Sequence, residues 1–397
     1  MVTEHFDIVV IGAGIQGAGI AQAAASYGYR VLVLEKSAIA SGTSSRSSKL
    51  IHGGLRYLET AQFALVRECL QERELLLRLA PELVRMKPFC IPVYKTGSRS
   101  ATKIALGLSL YALLNGLRAS SRFKTLARRD WDALDGLSTN QLHTVFQYYD
   151  AQTDDQALTK AVMRSAMQLG AELRVPAQFT TAKIGRQCEV NYARAGSELT
   201  CTASLLINAA GPWVPEILAS ITPQQAPLPM EMMQGTHIVL RFPLGERIYY
   251  LEAPQDKRAV FVMPWKNHTL VGTTETLFRH SPDQVEPLDS EVRYLLETYA
   301  HYFAFASDPS IDLKKSIIEQ FAGLRVLPAG GTTAFRRARD TMIQWDNAAA
   351  PKVASVYGGK LTAYRATAEK VMQGLLPYLP NRKRLADTRE LPLTPAD

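Results

Sequence analysis

The hydrophobic pattern opens with a short apolar run, Phe6–Gly12, of the kind that a parallel strand buried on both faces requires. Alanine-rich Ala18–Tyr27 follows and predicts a helix, and a second apolar run, Arg30–Leu34, predicts another strand that ends at Glu35. Far downstream, Thr236–Phe242, Ala259–Pro264 and Thr269–Thr273 alternate apolar and polar positions and predict strands of a second sheet. Ile104–Leu117 is apolar almost throughout and predicts a helix, too short to span a bilayer, which takes about 20 residues. Cations flank it, with Lys103 before and Arg118, Arg122, Lys124, Arg128 and Arg129 after. Two readings stay open there: a buried core helix beside a solvated basic loop, or a helix lying in the headgroups of an anionic membrane.

The first strand, helix and strand carry Gly12-Ala13-Gly14-Ile15-Gln16-Gly17 at their first turn. Gly12 permits the tight turn, Gly14 lets backbone N–H groups approach a pyrophosphate, and Gly17 allows close helix–strand packing. The helix N-terminus places partial positive charge at the phosphates, and Glu35 is placed to accept a ribose hydroxyl. A G-x-G-x-x-G alone is a weak signal; in this order with the strands, the helix and the acid it predicts dinucleotide binding. The motif does not separate FAD from NAD(P). No second G-x-G-x-x-G follows, as a two-nucleotide reductase would carry. A hydroxyl-rich loop from Ser41 to Ser48 instead enters the diglycine Gly53-Gly54, which suits wrapping around an extended polar cofactor.

Composition adds limits rather than a function. A length of 397 residues predicts about two domains, and 47% hydrophobic with 21% charged residues is ordinary for a packed globular chain. Four cysteines, Cys69, Cys90, Cys188 and Cys201, are dispersed without a C-x-x-C pair, and the seven histidines form no H-E-x-x-H. This argues against a disulfide framework or a metal site and fits a reducing compartment. Met1–Phe6 lacks the basic and apolar regions of a signal peptide, so a cytoplasmic location is expected. A net charge of +8 would suit an anionic substrate or membrane surface; no nucleic-acid motif accompanies it.

The run Ser41–Glu59, SGTSSRSSKLIHGGLRYLE, resembles the signature of the flavin-linked glycerol-3-phosphate dehydrogenase family, within the D-amino-acid-oxidase-like FAD oxidoreductases. The likeness continues through Leu65–Glu68 and Glu72–Pro81, then Ile207–Trp213, Gly235–His237, Gly272–Thr274, Gly323–Arg325 and Ala338–Asp340, and ends in Tyr357–Arg365. It covers roughly Phe6 to Leu376. Two departures stand out: Glu275 occupies a position where the family usually has Asp, and the likeness stops before the helical C-terminal domain that the family usually carries.

The resemblance implies an α/β fold, a Rossmann-like FAD-binding domain with an inserted α+β substrate (cap) domain. The FAD-binding domain is expected to be discontinuous, built from residues 1–85, 150–215 and 323–376. A helix-rich basic insertion is expected at 90–149, the cap with its β-sheet at 216–322, and a tail at 377–397. The implied FAD contacts are Gly12, Gly14, Ile15, Gln16, Gly17, Glu35 and Lys36 in the first βαβ unit, then Thr43, Ser44, Ser45, Lys49 and Leu50 in the loop. Ala210, Gly211 and Trp213 follow, and Gly358, Gly359, Lys360, Leu361 and Thr362 complete the set.

The reaction so implied oxidises sn-glycerol 3-phosphate to dihydroxyacetone phosphate and hands electrons to a quinone, with peripheral membrane contact. His52 is the candidate base for the hydroxyl proton, since imidazole exchanges protons near neutral pH, and the alternative that it only orients the alcohol stays open. Arg56, Arg325 and Arg339 are candidates for the substrate phosphate, which favours multi-donor guanidinium groups. Lys360 would act electrostatically on the reduced flavin or hold the substrate oxygen, while Tyr57 and Thr274 would add neutral hydrogen bonds. Two alternatives remain: an FAD enzyme acting on another hydroxy acid or an amine with oxygen as acceptor, and a non-catalytic flavin-binding protein. The oligomeric state is left open.

Overall fold

The structure is a computed structural model that describes residues 3–308, 310–330 and 341–395. The described residues form seven α-helices: α1 (Ile15–Ser26), α2 (Phe63–Leu79), α3 (Ala101–Leu114), α4 (Asp155–Gln168), α5 (Val214–Ala219), α6 (Asp289–Tyr302) and α7 (Tyr364–Leu375).

The first sheet is centred on parallel strands in the spatial order Glu172–Arg174, Val31–Leu34, Glu4–Ile11, Ser197–Asn208 and Val353–Tyr357. Val9 lies between Leu32 on one side and Leu206 on the other. Ile8 and Val10 point into a core shared with α1, α4 and α7. Val9 and Ile11 point into a second core, built with α5 and the antiparallel strands Gln178–Ile184 and Cys188–Arg194. Both faces of the strand are therefore covered, which is why its apolar run is unbroken.

The second sheet pairs Met230–Leu240 with Ile317–Pro328 on one side and with Thr276–Phe278 and His268–Gly272 on the other. It continues through Ala259–Trp265, Ile248–Glu252, Val84–Tyr94 and Leu142–Thr153 to the short Leu50–Ile51. Helix α6 packs on one face, while α2 and α3 pack on the other. The architecture is the expected Rossmann-like domain with a sheet-bearing cap.

Three expected boundaries shift. Residues 90–149 are not helix-rich: α3 sits between two long antiparallel strands, Val84–Tyr94 and Leu142–Thr153, which belong to the cap sheet. Pro88 and Pro92 lie inside the first of them and disguise it in sequence, because proline offers no ladder donor. The cap does not end at 322, since Ile317–Pro328 is one continuous strand. The expected tail at 377–397 joins the FAD-side core through its described residues, since Leu379 and Leu393 are buried in the core of α1, α4 and α7. No described helix is long and apolar enough to cross a membrane.

Candidate active site

A cleft of about 470 Å³ lies between the two sheets, and its wall can be followed from residue to residue. Gly12, at φ +98°, turns the chain out of the first strand; a Cβ there would sit 2.8 Å from the Ala209 carbonyl oxygen. Beyond the turn, Ala13 N–H donates to Glu35 Oε2 at 2.8 Å, and Ser37 N–H donates to Glu35 Oε1 at 2.9 Å. Each carboxylate oxygen keeps a further lone pair for a hydroxyl in the cleft. Ile15 N–H donates to Ser44 Oγ at 2.9 Å, which seats the hydroxyl-rich loop against the first turn of α1. Around Glu35 the wall continues through Lys36, whose Nζ lies 4.1 Å from the centre of the Trp213 ring and 2.9 Å from Asp283 Oδ1.

Gln16 tests whether a polar cofactor fits. Both amide atoms of its side chain are buried beside the cleft with no partner among the described residues, a state that costs about 1–3 kcal/mol if left unmet. Gly359, at φ +99°, approaches so closely that a Cβ would lie 2.4 Å from Gln16 Nε2. A cleft with a buried polar amide, a helix N-terminus and an acid at the second strand fits FAD, which Gly12, Gly14, Gln16, Glu35, Ser44 and Gly359 would hold.

Past Gly359 the wall carries ionisable and hydrogen-bonding side chains. Lys360 Nζ sits over the Tyr57 ring, 3.6 Å from its centre, and 3.7 Å from Cys69 Sγ. Burial pushes the Cys69 thiol up to about 11, so it meets the ammonium as a neutral dipole. His52 N–H donates to Thr362 Oγ1 at 3.1 Å, and its ring meets Phe261 edge-on with centroids 6.4 Å apart. Arg325 Nη2 donates to the Thr274 carbonyl at 2.7 Å, with Nη1 3.9 Å from Glu275 Oε1. His237 shares a 2.9 Å hydrogen bond between Nε2 and Ser48 Oγ and stacks on Phe321 at 5.0 Å. Burial, with Lys49 and Arg325 adding to it, lowers its pKa to about 3, so this imidazole is neutral at physiological pH.

Comparison with known proteins decides the family. A family model described as FAD dependent oxidoreductase matches residues 7–365. The chain belongs to that family. Its cofactor is FAD. The flavoenzyme is 36% identical over 383 residues to the glycerol-3-phosphate dehydrogenase of Pseudomonas tolaasii, covering 94% of this chain and 72% of that one. It is 35% identical to the aerobic glycerol-3-phosphate dehydrogenase of Escherichia coli (strain K12), with 94% and 74% covered. To the D-erythritol 1-phosphate dehydrogenase of Brucella abortus (strain 2308) it is 33% identical, with 95% and 75% covered. The glycerol-3-phosphate dehydrogenase from Bacillus halodurans, complexed with FAD, shares the fold with a TM-score of 0.75 at 24% identity, over 98% of this chain and 68% of that one. The L-alpha-glycerophosphate oxidase from Mycoplasma pneumoniae with FAD bound does so at 0.77 and 15% identity, over 98% and 99%.

Most residues expected at the flavoenzyme's site line the cleft. Among them are Gly12, Gly14, Ile15, Gln16, Glu35, Lys36, Thr43, Ser44, Leu50 and His52, with Tyr57, Ala210, Gly211, Trp213 and Arg325. Gly358, Gly359, Lys360, Leu361 and Thr362 complete that group. Several do not. Gly17 packs against the first turn, where a Cβ would be 1.9 Å from the Gly12 carbonyl oxygen. Lys49 turns away from the cleft into a buried ion pair, 2.6 Å from Asp155 Oδ1. Ser45 donates to the Gly42 carbonyl at 3.2 Å and supports the loop from behind. Arg56 lies over the Tyr57 ring at 5.7 Å, outside the lining. Thr274 is also outside it, with its hydroxyl committed to Glu291 Oε1 at 2.8 Å. Arg339 lies outside the described residues.

Sequence reasoning missed other groups. His237 lies in the cleft wall although it appeared only as a landmark of the resemblance. Phe179 and Asp283 also line the cleft, yet both come from segments with no motif. Glu275, where the resemblance leads one to expect Asp, has its carboxylate 3.9 Å from Arg325 Nη1.

Proposed function

We propose that this flavoenzyme oxidises sn-glycerol 3-phosphate to dihydroxyacetone phosphate and passes the electrons to a membrane quinone. The observation that carries this reading is the convergence of His52, Tyr57, Arg325 and Lys360 on one cleft. The names of its relatives at 33–36% identity, each a polyol-phosphate dehydrogenase, support the substrate class.

Oxidation of a secondary alcohol breaks a C–H and an O–H bond and leaves a carbonyl, so a hydride and a proton must leave in different directions. FAD, when bound, takes the hydride. His52 takes the hydroxyl proton onto its imidazole. The Lys360 ammonium, held over Tyr57, stabilises the substrate oxygen as negative charge builds on it. Arg325 offers its planar donors to the phosphate, with Arg339 as a second arginine for the same group.

Helix α3 supports the acceptor and membrane part of the proposal. Its inner face buries Leu108, Tyr111 and Ala112, whereas Leu106, Leu113 and the following Leu117 are about 60% exposed or more. Lys103 and Arg118 stand exposed at its two ends, 3.5 Å from Glu59 Oε1 and 3.9 Å from Glu74 Oε2. An apolar stripe edged by cations suits docking on an anionic bilayer, where a quinone is reached.

The test is an anaerobic visible spectrum of the purified flavoenzyme before and after addition of sn-glycerol 3-phosphate. Prompt loss of the yellow absorbance is expected, with little loss for unphosphorylated glycerol, and His52→Asn should bleach roughly 10²–10⁴-fold more slowly. A protein that stays yellow overturns the substrate assignment, and equal bleaching by D-erythritol 1-phosphate widens it. Reoxidation faster by oxygen than by a quinone analogue overturns the acceptor. Failure to sediment with anionic vesicles overturns the membrane contact.

A further inference from the structure

We propose that Glu291, which lies on α6 outside every motif, is a positioning residue: it fixes the Thr274–Glu275 segment that orients Arg325 in the cleft. This rests on the phosphate-binding role given to Arg325 above.

Glu291 is buried, yet its carboxylate is surrounded by donors. Oε1 accepts hydrogen bonds from Thr274 Oγ1 at 2.8 Å and Thr276 Oγ1 at 2.7 Å. Oε2 accepts from Gln234 Nε2 and Thr236 Oγ1, both at 2.6 Å, and from Leu288 N–H at 3.3 Å. Burial pushes this carboxyl's pKa up, but the hydrogen bonds from Thr236, Thr276, Thr274 and Gln234 outweigh it and hold it below the usual carboxylate range. The group is thus a carboxylate at neutral pH with its lone pairs engaged.

The engagement leads to the cleft in two steps. The Thr274 hydroxyl donates to Glu291 and accepts from Thr236 N–H at 2.8 Å, so both of its hydrogen-bonding roles are committed to the scaffold. The carbonyl of the same residue accepts from Arg325 Nη2 at 2.7 Å, and Glu275 lies 3.9 Å from Nη1. Arg325 sits opposite Met233 in the pairing of Ile317–Pro328 with Met230–Leu240, one register step from Gln234. One carboxylate therefore grips the strand beside the arginine and the segment that receives its guanidinium. An apolar side chain would fill the space without the desolvation cost of a buried charge. A fully engaged carboxylate adds angular definition, which a two-pronged hold on phosphate needs.

The test compares steady-state kinetics of the holoenzyme carrying Glu291→Gln or Thr274→Val with wild type. Glutamine keeps the shape but brings an NH₂ group against hydroxyl and amide donors; valine removes the link between Glu291 and the segment. For each, KM for sn-glycerol 3-phosphate is expected to rise on the order of tenfold while kcat changes by less than about threefold. Competitive inhibition by inorganic phosphate should weaken in parallel. If both variants fold with lowered thermal midpoints but unchanged KM and phosphate inhibition, Glu291 only supports the fold and the proposal is overturned. Thr274→Val keeps the question decidable if Glu291→Gln does not fold. Arg325→Met separates the two layers of argument. An unchanged KM in that variant overturns the phosphate role itself, whereas a raised KM in it alone overturns only the part given to Glu291.

Discussion

His237 shows how far a side chain's surroundings, rather than its identity, set its chemistry. Its ring is enclosed by Phe321, Ser48 and the backbone of Gly272, and the cations that bear on it are Lys49 and Arg325. In the unfolded chain the imidazole protonates below its ordinary value of 6.5, whereas in the folded protein burial delays this to about 3. Between those values the unfolded state binds the extra proton, so stability falls as the pH falls through this window. From pH 6.5 to 5 the loss from this one residue is about 1–2 kcal/mol, because the slope approaches its full value of roughly 1.4 kcal/mol per pH unit only well below 6.5. His237→Asn should flatten that limb, read as urea midpoints at the two pH values; an equally steep wild-type and variant profile would show that other groups set the acid limit. The residue scale is also where sequence reading reached least far. A motif names Lys49 and Thr274 but not the direction of their side chains. Lys49 is drawn inward by Asp155, which lies over a hundred residues away, and Thr274 by Glu291, on a helix without any motif.

The hydroxyl-rich loop illustrates how elements hold a site made of short polar side chains. Asp155, the first residue of α4, accepts from Ser47 N–H at 2.9 Å and Ser47 Oγ at 2.7 Å through Oδ2, and from Lys49 Nζ at 2.6 Å through Oδ1. Lys49 Nζ reaches back to the Ser45 carbonyl, closing the loop on itself. Loop and helix are thereby joined at a buried ion pair, directly behind Ser44, which meets the first turn of α1. Removing one partner of such a pair leaves a buried unpaired charge and typically costs about 3–5 kcal/mol. Asp155→Asn should therefore lower the thermal midpoint and release FAD, followed by flavin fluorescence, at a lower temperature than wild type. Retention of FAD up to the wild-type temperature would mean that the loop keeps its shape without this tether. At this scale the first βαβ unit was fully legible, because strand, glycines, helix and acid lie within one contiguous stretch. Val84–Tyr94 was not, since its prolines interrupt the alternation and its partner strand starts some fifty residues later.

For the whole molecule, three separated blocks of different motifs suggest a discontinuous FAD-binding domain, but they could not place its edges, because Val84–Tyr94 and Leu142–Thr153 join the cap sheet. The role of the last residues could not be read either, because a short polar segment with isolated leucines carries no periodicity. In the structure that segment returns to the start of the chain. Leu385 N–H donates to the Ser26 carbonyl and Leu393 N–H to the Leu79 carbonyl, each at 2.7 Å. Arg382 Nη2 lies 3.2 Å from Asp7 Oδ1. Thr388 is buried, accepting from Arg365 Nη1 at 3.1 Å and donating to Glu369 Oε1 at 2.5 Å. It thus completes the surroundings of the buried Arg365–Glu72 pair, which joins α7 to α2. Leu379 and Leu393 enter the same core as α1, and burying each contributes about 1.5–3 kcal/mol. The half-exposed Arg382 pair adds little by comparison, as surface ion pairs do. Ending the chain after Tyr378 should therefore remove roughly 3–6 kcal/mol, dominated by the two leucines. Urea unfolding followed by far-ultraviolet circular dichroism would show a lower midpoint. Leu379→Ala with Leu393→Ala in the full chain should reproduce most of the shift, whereas Arg382→Ala should not. A truncated chain as stable as the full one would mean that the helices α1 and α7 close over the exposed core without it.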